Sequence, residues 1–152
     1  MVKTVFLDAG PLGLVTKRKE HSSEVEACRA WLRGLIATGF QVCVAEVTDY
    51  EIRRELTRAG QTAGLQRLDE LLLTVEYLPI TTDAMRKAAD LWAAVRNLNL
   101  QTGDPKALDG DAIMAGQALT SGRDPAEIII ATTNVRHISR YVAADLWQNI
   151  VP

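Results

Sequence analysis

The chain reads as an α/β domain with three layers, α/β/α, around a central, mostly parallel sheet of four to five strands. Three observations carry this. Two runs, VKTVFLD at 2–8 and EIIIA at 127–131, lack a polar face, as strands covered on both sides do. Strand-like runs alternate with stretches of helical period, in the order β-α-α-β-α-α-β-α-α-β-α. A length of 152 residues, 47% hydrophobic and 24% charged, fits a single domain over 1–152 with its own core.

Each element has a local reason. Residues 2–8 form the first strand, and a short helical turn follows around 11–16, where Pro11 suits a first turn. Lys17–His21 is a polar loop. Ser23 with Glu26 has the form of a capping box. Val25, Cys28, Leu32, Leu35 and Ile36 then recur at helical spacing until Gly39. QVCVA at 41–45 is the second strand. Residues 46–59 are helical up to Gly60, and a further helix carries Leu65, Leu68, Leu72 and Val75 on one face. EYLPI at 76–80 is a short strand, with Pro79 favouring an edge or a strand end. Thr82 caps a helix whose stripe is Met85, Ala88, Trp92 and Val95. Residues 99–107 are a polar loop with Gly103 and Pro105, and a helix runs from about 109 to 120. After the strand at 127–131 come a helical turn near 135–141 and a last segment around Leu146–Ile150.

Composition excludes several classes. Seventeen Lys and Arg against 19 Asp and Glu give a net charge of −2, so nothing overall argues for tight nonspecific nucleic-acid binding. Cys28 and Cys43 lack metal-ligand spacing and read as reduced core residues of a cytoplasmic protein. There is no leader pattern and no apolar run long enough to span a bilayer.

In parallel sheets, ligands bind beyond the carboxyl ends of the strands. Asp8 stands at such an end, where it is either a helix cap or a site carboxylate. The second strand leads to Glu46 and Glu51, with Asp49 and Glu55 nearby, and the last to Thr132, Thr133 and Asn134. Glu51, about one and a half turns into its helix, points back towards the strand ends. In LDGDAIMAGQAL, Asp109 and Asp111 open an otherwise apolar helix. Its small residues Ala112, Ala115, Gly116 and Ala118 permit close approach to the sheet. Asp109 is explained by the helix dipole and Asp104 by turn chemistry before a proline. Carboxylates that converge need a compensating cation, and hard oxygen donors select Mg²⁺ or Mn²⁺. Two such ions activate water and stabilise the leaving oxygen in phosphodiester cleavage.

With these residues in view, the chain resembles PIN-domain ribonucleases of the VapC-like toxin type over nearly its whole length. FLDAGPL resembles the family's first-strand motif, ending in its aspartate. VAEVTDYEIRREL resembles the second motif, which selects Glu51 over Glu46. DGDAIMAGQAL resembles the third, which selects Asp111 over Asp109. IIIATTNVRHI resembles the fourth. The resemblance implies a metal-dependent endoribonuclease with Asp8, Glu51 and Asp111 as catalytic residues and metal ligands. It also implies an antitoxin protein as partner and a homodimer. Asn134, Asp109, Thr132, Thr133 and His137 are auxiliary candidates. Where many relatives carry aspartate, this chain has Asn134 and, three residues on, His137, which is a proton donor, a phosphate contact or a structural residue. A neutral Asn134 implies one Mg²⁺ or Mn²⁺ held tightly and a second bound with substrate phosphate. The alternative from another class is a non-catalytic PIN-fold module that binds RNA or a protein.

Other families fit less well. Haloacid-type phosphatases need an aspartate at position 10, which is Gly10; receiver domains need an acidic pair and a late lysine; a dinucleotide site needs three spaced glycines. For an RNA substrate, Arg53, Arg54, Arg58, Lys17, Arg18, Lys19, Arg136 and Arg140 are phosphate contacts or a solvated face with i,i+4 pairs. Tyr50 and Tyr141 are the aromatics near the site, too few to signal base stacking strongly. Trp31, Trp92, Trp147 and the leucines of 65–75 either complete the core or cover a homodimer contact.

Overall fold

A computed structural model describes residues 1–18, 22–98 and 105–152, with 105–108 described as backbone. Lys19, Gly103 and Asp104, and with them most of the two predicted loops, lie outside the described residues. In chain order the elements are β1 (Thr4–Leu7), α1 (Ala9–Thr16), α2 (Ser23–Ala37), β2 (Gln41–Ala45), α3 (Glu46–Arg58), α4 (Thr62–Leu72), β3 (Glu76–Leu78), α5 (Thr82–Asn97), α6 (Pro105–Leu119), β4 (Ile128–Thr132), α7 (Val135–Ile138) and β5 (Ala144–Leu146).

The five strands pair in parallel throughout, in the order β3-β2-β1-β4-β5. The central register sets Phe6 beside Cys43 on one side and Ile130 on the other. Because successive strand residues face opposite ways, the sheet builds two cores. Val5, Leu7, Val42 and Val44 join residues of α1, α2 and α4 on one face. Phe6, Cys43, Ile128 and Ile130 join residues of α5, α6 and α7 on the other. The three-layer α/β/α arrangement is therefore observed, with β3 as an edge strand followed by Pro79. The order in which strands are added to the sheet reverses between β1 and β4, and crevices for ligands open at such switch points.

The elements depart from the sequence reading in several places, and Val75 lies beyond the end of α4 at Leu72. The caps are Ser22 and Thr81, one residue before Ser23 and Thr82: Ser22 Oγ accepts from Val25 N at 3.2 Å and Thr81 Oγ1 from Ala84 N at 3.0 Å. Both sites carry a doublet of hydroxyl residues, so packing chooses the register. Helix α6 starts at Pro105, not near 109, because proline costs nothing at a first helical position. Asp111 thus lies almost two turns into α6. Helix α7 is one short turn. The tail contains β5, whose three residues ADL are too few to show a period; it is held by pairing to β4. Gly116 approaches α5, not the sheet: a Cβ there would meet the Ala84 carbonyl oxygen at 2.4 Å and Ala88 N at 3.0 Å.

The tryptophans divide. Trp31 and Trp147 are buried together, ring centroids 5.5 Å apart, and Trp31 Nε1 donates to the Ile150 carbonyl at 2.7 Å. They complete the core, as does Leu68 of α4. Among the described residues, no helix is long and apolar enough to cross a membrane.

The contact at Gly116 sets a test of this packing. Gly116→Ala pushes a methyl group into the α5 backbone, which cannot rotate away. The expected cost is about 1–3 kcal/mol, read as a fall in Tm of about 2–10 °C by thermal denaturation. An unchanged Tm would show that α5 and α6 are not in contact there.

Candidate active site

Asp8 leaves β1 with extended backbone and both carboxylate oxygens engaged. Oδ1 accepts from Ala9 N at 2.8 Å, capping α1. Oδ2 accepts from Thr132 Oγ1 at 2.7 Å, from the end of β4. Capping and site readings thus hold together: the cap fixes a carboxylate over the switch point. Thr132 is buried, and its hydroxyl also accepts from Asn134 N at 3.1 Å. Gly10 brings α1 against the next residue of this turn, since a Cβ there would meet Thr133 Oγ1 at 2.3 Å.

Helix α3 begins directly after β2, with Ala45 at its cap position and no side-chain cap of its own. Gln117, buried on α6, accepts from Val47 N at 3.2 Å and donates through Nε2 to the Leu78 carbonyl at 2.7 Å. One side chain of α6 therefore satisfies an orphan amide of α3 and the end of β3. Sequence reasoning missed Gln117; a lone buried glutamine on an apolar helix face was the available signal. Glu46 is also structural, accepting from Ile80 N at 2.7 Å.

Val47, Tyr50, Glu51 and Arg54 recur at i, i+3, i+4 and i+7, so they share one face of α3. With Asp109, Gly110 and Ile113 of α6 they line a cleft of about 460 Å³. Gly110 makes room for the acid: a Cβ there would meet Glu51 Oε1 at 2.3 Å. Glu51 lies near enough to Asp8 for that charge to push its carboxyl up, after burial, while Arg54 draws it down. Asp111 feels both acids, and burial together with Asp8 and Glu51 pushes it up to about 7. Asp8 is itself raised by burial, against the bonds from Thr132 and Ala9 that lower it. The three carboxylates selected from the sequence are thus brought into mutual electrostatic reach.

Their chemistry suits a hard divalent ion: three half-buried carboxylates in mutual repulsion, with Arg54 the cation acting on Glu51. Among the described residues, however, no three Asp, Glu, His or Cys side chains are already gathered as an ion-holding group.

The remaining candidates separate. Asn134 Oδ1 accepts from Arg136 N at 3.0 Å, capping α7. Thr133, Arg136 and His137 lie on the same turn and helix. Asp109 lines the cleft. Arg53 bonds Asp49 (Nε to Oδ1 3.1 Å) and Asp69 (2.8 Å), and Asp49 also accepts from Tyr77 at 3.0 Å. That places Arg53 in a lock between α3 and α4 and includes the i,i+4 pair named as the alternative to a phosphate contact. Arg58 pairs with Glu55 at 3.0 Å on the surface. Tyr141 is buried, its hydroxyl has no partner among the described residues, and its ring cannot stack on a base. Tyr50 is 59% exposed beneath the Arg54 guanidinium, 5.2 Å from the ring centroid.

The cluster makes the metal-free protein sensitive to pH. Asp111 titrates near 7 when folded, against an ordinary 3.8. Its protonated form is favoured by folding, so the stability this group contributes is fully present below about pH 4 and is lost as pH rises through about 7. Asp111→Asn removes that loss. We expect its Tm, measured in EDTA, to exceed that of the native protein by about 2–10 °C at pH 7.5, or about 1–3 kcal/mol. The gap should close towards pH 4; one of equal size at both would sink the electrostatic account.

No family model matches the chain, and no curated protein does. Solved structures match along nearly its whole length. That of VapBC2 from Rickettsia felis, bound to a DNA fragment from their promoter, is similar with a TM-score of 0.70 at 13% identity, over 95% of this chain and 98% of that chain. FitAcB from Neisseria gonorrhoeae gives 0.71 at 17%, over 96% and 99%. DNA-bound VapBC from Salmonella typhimurium gives 0.61 at 19%, over 97% and 99%. An all-parallel five-stranded sheet flanked by helices, matched end to end by these chains, is the PIN-like fold, and this chain has it.

Proposed function

We propose that the chain is a Mg²⁺- or Mn²⁺-dependent endoribonuclease and the toxin of a toxin–antitoxin pair. The observation that supports this is the electrostatic influence of Asp8 on Glu51, and of both on Asp111, each raising the cost of ionising the next. The likeness to VapBC and FitAcB structures supports an antitoxin protein as partner.

Asp8, Glu51 and Asp111 would hold the ion. When bound, the ion supplies charge neutralisation and an activated water for phosphodiester hydrolysis. The chain's own residues prepare that step. Thr132 Oγ1 and Ala9 N fix the Asp8 carboxylate, so its orientation is set before substrate arrives. Gly110 lets the Glu51 carboxylate lie against the backbone of α6. Arg54 places a positive charge at the cleft for a phosphate. Asn134 adds no charge and caps α7, which favours one ion held by protein and a second completed by substrate phosphate.

The alternative reading is a PIN-fold module that binds RNA or protein without cutting. Asp8→Asn separates the two. It keeps a cap and the fold, and is expected to lower Mn²⁺-dependent RNA cleavage at least about 100-fold, measured on a fluorescent RNA with circular dichroism as control. Cleavage equal to the native protein's, or none by either, would overturn the nuclease reading.

Asn134→Asp is expected to tighten Mn²⁺ binding in titration calorimetry without substrate, because a full charge joins the cluster. Equal affinity and stoichiometry in both proteins would confine Asn134 to its cap. A homodimer belongs to the same proposal. With Trp31 and Trp147 committed to the core, it rests on the resemblance and on Met85 and Trp92 beside an apolar groove of about 600 Å³.

A further inference from the structure

We propose that Tyr50 is a stacking platform for one unpaired base of a single-stranded substrate, next to the acidic cluster; this rests on the nuclease reading and adds a subsite to it. Tyr50 is 59% exposed, so its ring is accessible to a ligand. The ring is not loose. Arg54, one turn on, holds its guanidinium 5.2 Å from the ring centroid, covering one face and fixing the plane. The exposure that remains leaves the other face to solvent.

Position gives the ring its use. Tyr50 precedes Glu51 and lines the same cleft, of about 460 Å³, with Arg54, Asp109 and Gly110. That volume exceeds a nucleobase and its sugar. A phosphate drawn to the ion-binding carboxylates would carry its neighbouring base into reach of α3. Arg54 then serves twice, polarising the ring and offering positive charge to the backbone. Stacking needs an unstacked base, so the geometry selects single strands or loops over duplex. The other aromatic near the site, Tyr141, is buried and cannot compete for this role.

The test uses the full chain with a fluorescein-labelled single-stranded RNA and its duplex form. Binding is read by anisotropy in EDTA, and cleavage in Mn²⁺. Tyr50→Ala is expected to weaken single-strand binding about tenfold and to raise KM by a like factor more than it changes kcat. Tyr50→Phe and Tyr50→Trp should restore both, and duplex binding should not respond. An RNA carrying one abasic nucleotide beside the cut site should lose the same factor with the native protein and nothing further with Tyr50→Ala. Equal binding by Tyr50→Ala and native protein would overturn the proposal, as would loss in Tyr50→Phe equal to that in Tyr50→Ala, or no binding by the native protein. Tyr50-dependent binding without any cleavage supports the platform while removing the nuclease reading. Cleavage with a KM indifferent to Tyr50 does the reverse.

Discussion

The burial of three carboxylates near one another's charge is the constraint on which the rest of this structure turns. Asp8, Glu51 and Asp111 arrive from β1, α3 and α6, and each element could have carried its acid to open water at lower cost. The scaffold instead holds them at the switch point between β1 and β4. Neighbouring features reduce that cost. Thr132 and Ala9 donate to Asp8, Arg54 faces Glu51, and Gly110 provides the space Glu51 occupies. Among the described residues, these contacts lower the cost of burying the three acids without cancelling it, since all three carboxyls stay raised.

The scaffold that bears this load is rigid where it matters. The relative position of α3 and α6 is set through Gln117, which joins the first turn of α3 to the chain leaving β3. Arg53 ties α3 to α4 through Asp49 and Asp69, and Gly116 seats α6 against α5. A helix face that carries a cleft residue on one side is thus anchored on the other. The neighbours Arg53 and Arg54 show the consequence: one is spent on structure, the other faces the cleft.

What the sequence by itself determined is what depends on near neighbours. The two strands without a polar face, the breaks at Gly39 and Gly60, the edge position before Pro79 and the place of Asp8 at a strand end follow from burial, backbone freedom and hydrogen bonding within a turn or so. Glu51 and Asp111 were singled out by the motifs they share with the resembled family, not by local physics.

Tertiary structure decided the rest, because the deciding partner lies far along the chain. Asp69 claims Arg53 from sixteen residues away, and Gln117 reaches Val47 across seventy. Strand β5 exists because β4 offers it a free edge, and Trp31 meets Trp147 because the last segment crosses α2. Tyr50 and Tyr141 were alike as sequence; packing buried one and left the other open over the cleft. Local propensity cannot separate such cases, since burial is a property of the assembled layers and not of the residue.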